Sequence, residues 1–168
     1  FGTLGARREM MVGFLAEPAL LMVIFVASLI TQTTALPAIT EDLATRPLAL
    51  YPSLAFTGLA FTIVLLAENA RIPVDNPATH LELTMIHEAM LLEYSARHLA
   101  LMEWAAALKL FNYACIGFAL FVPWGVASGP ASLAALAGSV SVLTLKLLTA
   151  GAVLAVIETV SAKLRIFR

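Results

Sequence analysis

The sequence predicts an all-α, polytopic integral membrane protein with about four transmembrane helices and one long cytoplasmic loop, forming a single membrane domain over residues 1–168. Three observations predict it. Of the 168 residues, 61% are hydrophobic and 12% charged, and the mean hydropathy is +0.92. One core of this length cannot absorb so much apolar surface, so the excess must face lipid. The apolar residues lie in long blocks, unlike the short alternating runs of a membrane barrel. The polar residues gather in the breaks between those blocks.

A hydrocarbon core of about 30 Å needs roughly 20 residues of helix. Blocks of that length run over about 10–36, 48–67, 99–122 and 133–157. Pro37 to Pro47, with Glu41, Asp42 and Arg46, reads as the first short break, and Pro123 to Pro130, with Gly125 and Gly129, as the last. The connection 68–97 is longer and is dense in ionisable residues. With four spans, Arg7, Arg8, Arg71, Arg97, Lys163, Arg165 and Arg168 share one side and Arg46 faces them from the other. Positively charged flanks are retained in the cytoplasm, so loop 68–97 and the C-terminus are expected there. Phe1 is not an initiator Met, and Phe1 to Glu9 lacks a signal-peptide pattern, so the chain reads as a piece of a longer polypeptide.

Several function classes fall away. A formal net charge of -1 gives no electrostatic ground for nucleic acid. Cys115 is the one cysteine, which excludes an intrachain disulfide and suits a small apolar residue inside its block. There is no cysteine cluster for iron–sulfur ligation, no glycine-rich phosphate loop and no nucleophile elbow. No catalytic centre and no bound cofactor are expected on this chain.

What remains is charge at membrane depth. Glu17 lies inside the first block, Glu103 and Lys109 within the third, and Lys146 near the middle of the fourth. A charge at a helix centre costs roughly 2.5–3.5 kcal/mol, so the four together could oppose insertion by about 10 kcal/mol if they faced lipid. One resolution is structural: Glu17 and Lys109 snorkel to the interface, or Glu103 and Lys146 pair. The other is a polar path, in which desolvated carboxylates carry protons or organise water and a neighbouring lysine, Lys146, tunes them.

In the long loop, Arg71, Pro73, Asp75 and Pro77 predict an irregular stretch, and Thr79 onward predicts an amphipathic helix. Glu82 and Glu93, about three helical turns apart, would then share an acidic face. His80, Glu82, His87 and Glu88 suggest a metal site, but Leu91 stands where a zinc-protease helix needs its second histidine, so no metal is expected.

The run from Ala67 to Lys109, AENARIPVDNPATHLELTMIHEAMLLEYSARHLALMEWAAALK, closely resembles the membrane subunit of energy-converting [NiFe]-hydrogenases and formate hydrogenlyases, which is related to NADH dehydrogenase subunit 1 of respiratory complex I. Arg71-x-Pro73-x-Asp75-x-Pro77, Glu82-Leu83 and Glu93-Tyr94-Ser95 are similar to the quinone-reducing relatives as well. Thr79 to Glu88, and the tail Glu158 to Arg168, resemble the hydrogenase branch. The likeness is moderate over Phe14 to Pro18 and weak in the spans, and it places this chain in the C-terminal half of such a subunit.

The resemblance implies a non-catalytic subunit of a redox-driven ion-translocating complex in the prokaryotic inner membrane. It implies an ion pathway through Glu17, Glu82, Glu93, Glu103 and Lys146, and a docking or coupling loop containing Glu68, Arg71, Asp75, His80, His87 and Glu88. The implied partners are the hydrogenase large and small subunits, which carry the nickel–iron and iron–sulfur centres, together with antiporter-like membrane subunits and the lipid bilayer. Two alternatives stand beside it: a quinone-site subunit of a NADH:quinone oxidoreductase-type complex, and a passive membrane scaffold for soluble redox subunits. Pro73-Val74-Asp75-Asn76-Pro77-Ala78-Thr79-His80 lacks two acids of the quinone-reducing Pro-Phe-Asp-x-Pro-Glu-Ala-Glu run, which counts against a quinone headgroup site.

Overall fold

Long apolar runs become long helices, and the computed structural model, which describes residues 2–45, 52–71, 86–125 and 132–161, contains six helices, long and short, among those residues. They are α1 Gly2–Thr31, α2 Leu36–Thr45, α3 Pro52–Glu68, α4 His87–Leu91, α5 Ala96–Phe121 and α6 Leu133–Ser161. No strand occurs among the described residues. α1, α5 and α6 are long and apolar enough to cross a membrane, and α3 is a shorter apolar helix of 17 residues. That length is the lower end of the range of about 17–25 residues for a span, so three helices, α1, α5 and α6, are candidate spans among the described residues where the sequence predicts four.

The first predicted block, 10–36, needs correction. α1 starts at Gly2 and stops at Thr31, where Gln32 takes a left-handed φ of 57°. The expected turn from Pro37 to Pro47 holds α2 instead. Pro37 sits in the first turn of α2, where a missing N–H breaks no helical hydrogen bond. Ile39 and Leu43, four residues apart on one face, are fully buried. Turn composition misread this segment because its apolar pair is what anchors it.

The apolar core lies at the α2 end of the bundle. Val23 and Ala27 of α1, Ile39 and Leu43 of α2, Leu54 and Phe61 of α3 and Leu120 of α5 form one buried cluster. Phe61 and Phe121 stack at a tilt with ring centroids 5.5 Å apart, within the range of favourable aromatic pairs. Gly117 makes room for this, since a Cβ there would stand 2.7 Å from Phe61 Cε1.

The opposite end is closed by α4, which lies across the start of α1. A Cβ on Gly5 would meet the Ile86 carbonyl oxygen at 2.7 Å and the Met90 nitrogen at 3.0 Å, so glycine sets how closely the two backbones approach. The helix expected from Thr79 onward is, among the described residues, only the five-residue α4; residues 79–85 lie outside them. The chain leaves α4 through a turn in which Glu93 and Tyr94 donate to the Met90 and Leu91 carbonyls. Glu93 therefore stands off the helix, and its Oε1 accepts from the Gly2 N–H at 2.9 Å.

α6 packs sparsely, and none of its described side chains is buried. A crevice of about 610 Å³ separates it from α3 and α5. Arg71 and Glu158 pair across one end at 3.0 Å, and Lys146 donates to the carbonyls of Val122 and Trp124 beyond the end of α5.

Candidate functional site

α3 ends in a motif that turns its last side chains inward. The N–H of Arg71 donates to Leu66 O at 2.9 Å and that of Ala70 to Ala67 O at 3.2 Å, with Ala70 at a left-handed φ of 49°. This is the Schellman pattern of helix termination. Glu68, expected in a loop, is the last residue of α3, and its side chain is only 10% exposed. Its Oε1 lies 2.8 Å from Lys109 Nζ on α5. Lys109 thus turns toward a carboxylate within the bundle. Asn69 follows, its Nδ2 donating to Leu65 O at 2.8 Å.

A cavity of about 160 Å³ opens beside this pair, lined by Glu9 and Val12 of α1, Glu68 and Asn69 of α3, His87 of α4 and Lys109 of α5, among others. His87 Nδ1 and Glu9 Oε1 approach to 3.8 Å across it. One helical turn past Lys109 on α5 stands Tyr113, partly buried against the core and within electrostatic reach of both Glu68 and Glu17. Glu17 lies eight residues beyond Glu9 on α1, about 12 Å deeper along the axis. The next residue is Pro18, inside the helix. Proline has no N–H, so the Phe14 carbonyl loses its usual partner one turn back. From the cavity, polar groups follow one another as Glu9 and His87, Glu68 and Lys109, then Tyr113, while Glu17 lies deeper along α1 but is exposed on the outside of the bundle.

The remaining sequence-derived residues lie elsewhere. Glu103 is exposed on α5 and continues, at helical spacing, the stripe Ala107, Leu110, Ala114, Gly117 and Phe121 that lines the crevice facing α6. Lys146 does not pair with Glu103; it binds the two carbonyls at the end of α5, where a cation meets the negative end of a helix dipole. Glu93 holds the start of α1 and Arg71 holds α6. Glu82, Asp75 and His80 lie outside the described residues, as does the side chain of Glu88. Cys115 is free and half-buried. Among the described residues, no group of three or more His, Cys, Asp and Glu side chains converges as a metal site would require.

Sequence reasoning missed the Glu68–Lys109 pair and Tyr113. The pair had a signal, since Lys109 needed an anion and Glu68 ends the antiparallel neighbour of its helix.

Residues 1–168 all align with the family described as NADH dehydrogenase. The chain belongs to that family. Hydrogenase-4 component C of Escherichia coli (strain K12) is 37% identical over 151 residues, covering 88% of this chain and 45% of that protein. Formate hydrogenlyase subunit 4 of the same organism is 31% identical over 125 residues, covering 74% and 40%. This NADH dehydrogenase family member is thus similar to components of hydrogenase and formate hydrogenlyase complexes, as the Thr79 to Glu88 run implies. The chain spans less than half the length of either relative.

Proposed function

We propose that this chain conducts ions and couples ion movement to redox chemistry as a membrane subunit of a hydrogenase or formate hydrogenlyase-type complex. The observation that carries the reading is the α4-end cavity with the Glu68–Lys109 pair drawn between α3 and α5 beside it, and Tyr113 one turn on, within electrostatic reach of Glu68 and of the exposed Glu17. An ion pair taken into a bundle is weak evidence for stability, because desolvation offsets much of its attraction. Intramembrane ionisable groups mark ion and proton paths, and here they adjoin a cavity large enough for water. Tyr113, within electrostatic reach of both Glu68 and Glu17, carries a hydroxyl that can donate and accept.

In this reading the redox chemistry belongs to partners: a large subunit with nickel–iron, small subunits with iron–sulfur centres, and antiporter-like subunits beside it in the membrane. The segment 68–97 and the C-terminus face the cytoplasm of a prokaryotic inner membrane. Asp75, His80, Glu82, His87 and Glu88 lie in the segment that would meet the redox arm. Glu103, on the stripe facing α6, and Lys146, at the end of α5, extend the path beyond the described bundle.

The test is ion uptake by vesicles reconstituted with the intact complex. Glu17→Gln, Glu68→Gln and Tyr113→Phe are expected to lower uptake at least tenfold while hydrogen evolution driven by an artificial donor persists. Uptake unchanged in all three would sink the reading and leave the passive scaffold.

A further inference from the structure

The crevice that separates α6 from α3 and α5 is apolar along its length and charged at one end. Its space of about 610 Å³ is lined by Leu66, Phe111, Phe118, Leu147, Leu154 and Ile157 among others. Thr62, the one hydroxyl in those walls, already donates to Gly58 O at 2.9 Å. An ordered water needs two to four polar partners, so the walls suit an apolar occupant and not water.

Two polar contacts bracket the crevice along α6. Lys146, the fourteenth of the 29 residues of α6, donates to Val122 O and Trp124 O one residue before the lining begins at Leu147. Glu158, one residue after the lining ends at Ile157, meets Arg71 Nη1 at 3.0 Å. Twelve residues separate the two contacts, about 18 Å of helix at about 1.5 Å per residue. Half of a hydrocarbon core of about 30 Å is about 15 Å. The crevice therefore runs from the middle of a spanning helix to its end, the length of one leaflet, and a helix crossing the whole bilayer would outrun it by as much again.

The charged end has bonding capacity to spare. Arg71 carries five N–H donors, and among the described residues its side chain contacts Glu158 alone, through Nη1 to Oε1. Oε2 of Glu158 is uncommitted among the same residues. The two side chains are 41% and 30% exposed. Glu103 stands exposed on α5 one turn beyond Ala107, at the same end. A guanidinium fork matches a phosphate, and a carboxylate accepts from an ammonium. A headgroup with both a phosphate and a primary amine thus engages both members of the pair. An anionic headgroup without the amine would bring like charge to Glu158 and Glu103, and a quinone, whose carbonyls only accept, would leave both carboxylates unserved.

We propose that the crevice binds one phosphatidylethanolamine from the leaflet at the C-terminal end of α3, with an acyl chain between α6 and the α3–α5 pair, its phosphate on Arg71 and its ammonium on Glu158. The site is separate from the Glu68–Lys109 cluster and holds whether or not the chain conducts ions.

Titration of the delipidated intact complex in detergent with phosphatidylethanolamine or phosphatidylglycerol, with bound lipids counted by native mass spectrometry, tests it. Lipids on the rest of the surface bind every variant equally, so the difference from the unsubstituted complex is the readout. Gly151→Phe fills the crevice from a position where a Cβ meets nothing within 4 Å, and it is expected to weaken the tightest phosphatidylethanolamine site at least tenfold. Gly138→Phe, equally open but outside the lining, should leave that site unchanged. Glu158→Gln is expected to abolish the preference for phosphatidylethanolamine over phosphatidylglycerol, and Arg71→Gln to weaken both. If Gly151→Phe fails to assemble, Glu158→Gln decides, because structural damage alone would not exchange one headgroup for another. Equal binding in Gly151→Phe and Gly138→Phe, or an unsubstituted complex that takes both lipids alike, would overturn the proposal. So would a disulfide cross-link from Gly151→Cys to another polypeptide, which would put a helix in the crevice.

Discussion

The α4 end of the bundle and α6 handle membrane charge in opposite ways. At the α4 end, Glu68 and Lys109 are drawn between helices and share a cavity with Glu9 and His87. On α6, Lys146 and Glu158 reach outward to carbonyls and to Arg71, and serve as ties across an apolar crevice that nothing described fills. The first arrangement spends burial on polarity. In the second, charge positions a helix whose apolar faces remain open, exposing Leu136, Leu145, Leu148 and Val153 among others. Since the chain covers under half of its relatives, we infer that α6 presents those faces to lipid or to helices outside the described residues.

The largest expected effect separates the two kinds of charge contact. Lys109→Met would leave the Glu68 carboxylate buried without its cation, and breaking a buried pair from one side costs about 3–5 kcal/mol. The lower end applies, because Lys109 is 35% exposed. Adding Glu68→Gln should recover most of the loss. Arg71→Ala, which cuts the more exposed tie to Glu158, should cost at most about 1 kcal/mol. Unfolding midpoints of the purified complex in detergent measure all three. An Arg71→Ala loss as large as that of Lys109→Met would erase the distinction.

Much of this contrast was written into the sequence, though unevenly. The all-α class, the blocks that became α5 and α6, and the cost of Lys109 and Lys146 at depth were legible, because hydropathy and insertion cost depend on single segments. The Glu68–Lys109 pair was not, because it joins residues 41 apart through the packing of two helices. Lys146 looked like a partner for acids and instead satisfies carbonyls at the end of α5, a demand set by where that helix stops. α2 was hidden by its prolines, whose meaning depends on position within a helix rather than on their number.

A smaller effect probes packing. Gly117→Ala would push a Cβ to 2.7 Å from Phe61, and overpacking of this kind costs about 1–3 kcal/mol. A Cβ on Gly151 or Gly138 of α6 meets nothing within 4 Å. Alanine is there expected to be neutral or to stabilise by up to about 1 kcal/mol, the helix penalty of glycine. A marked loss of stability for Gly151→Ala in the intact complex, absent for Gly138→Ala, would show that another helix packs against the crevice face of α6.

The smallest effect concerns the turn that joins the two regions. Ala70 holds a left-handed φ of 49° at the end of α3, in the position where helices most often use glycine. An L-residue pays roughly 1–2 kcal/mol for that conformation, while glycine gives back about 0.4–1 kcal/mol through its freer unfolded chain. Ala70→Gly should therefore stabilise by about 0.5–1 kcal/mol. Because the turn orients both Asn69 toward the cavity and Arg71 toward α6, the substitution should leave the Arg71–Glu158 coupling in a double-mutant cycle unchanged. A lower unfolding midpoint, or a changed coupling, would mean that the strain at Ala70 itself sets the relation between the polar cluster and α6.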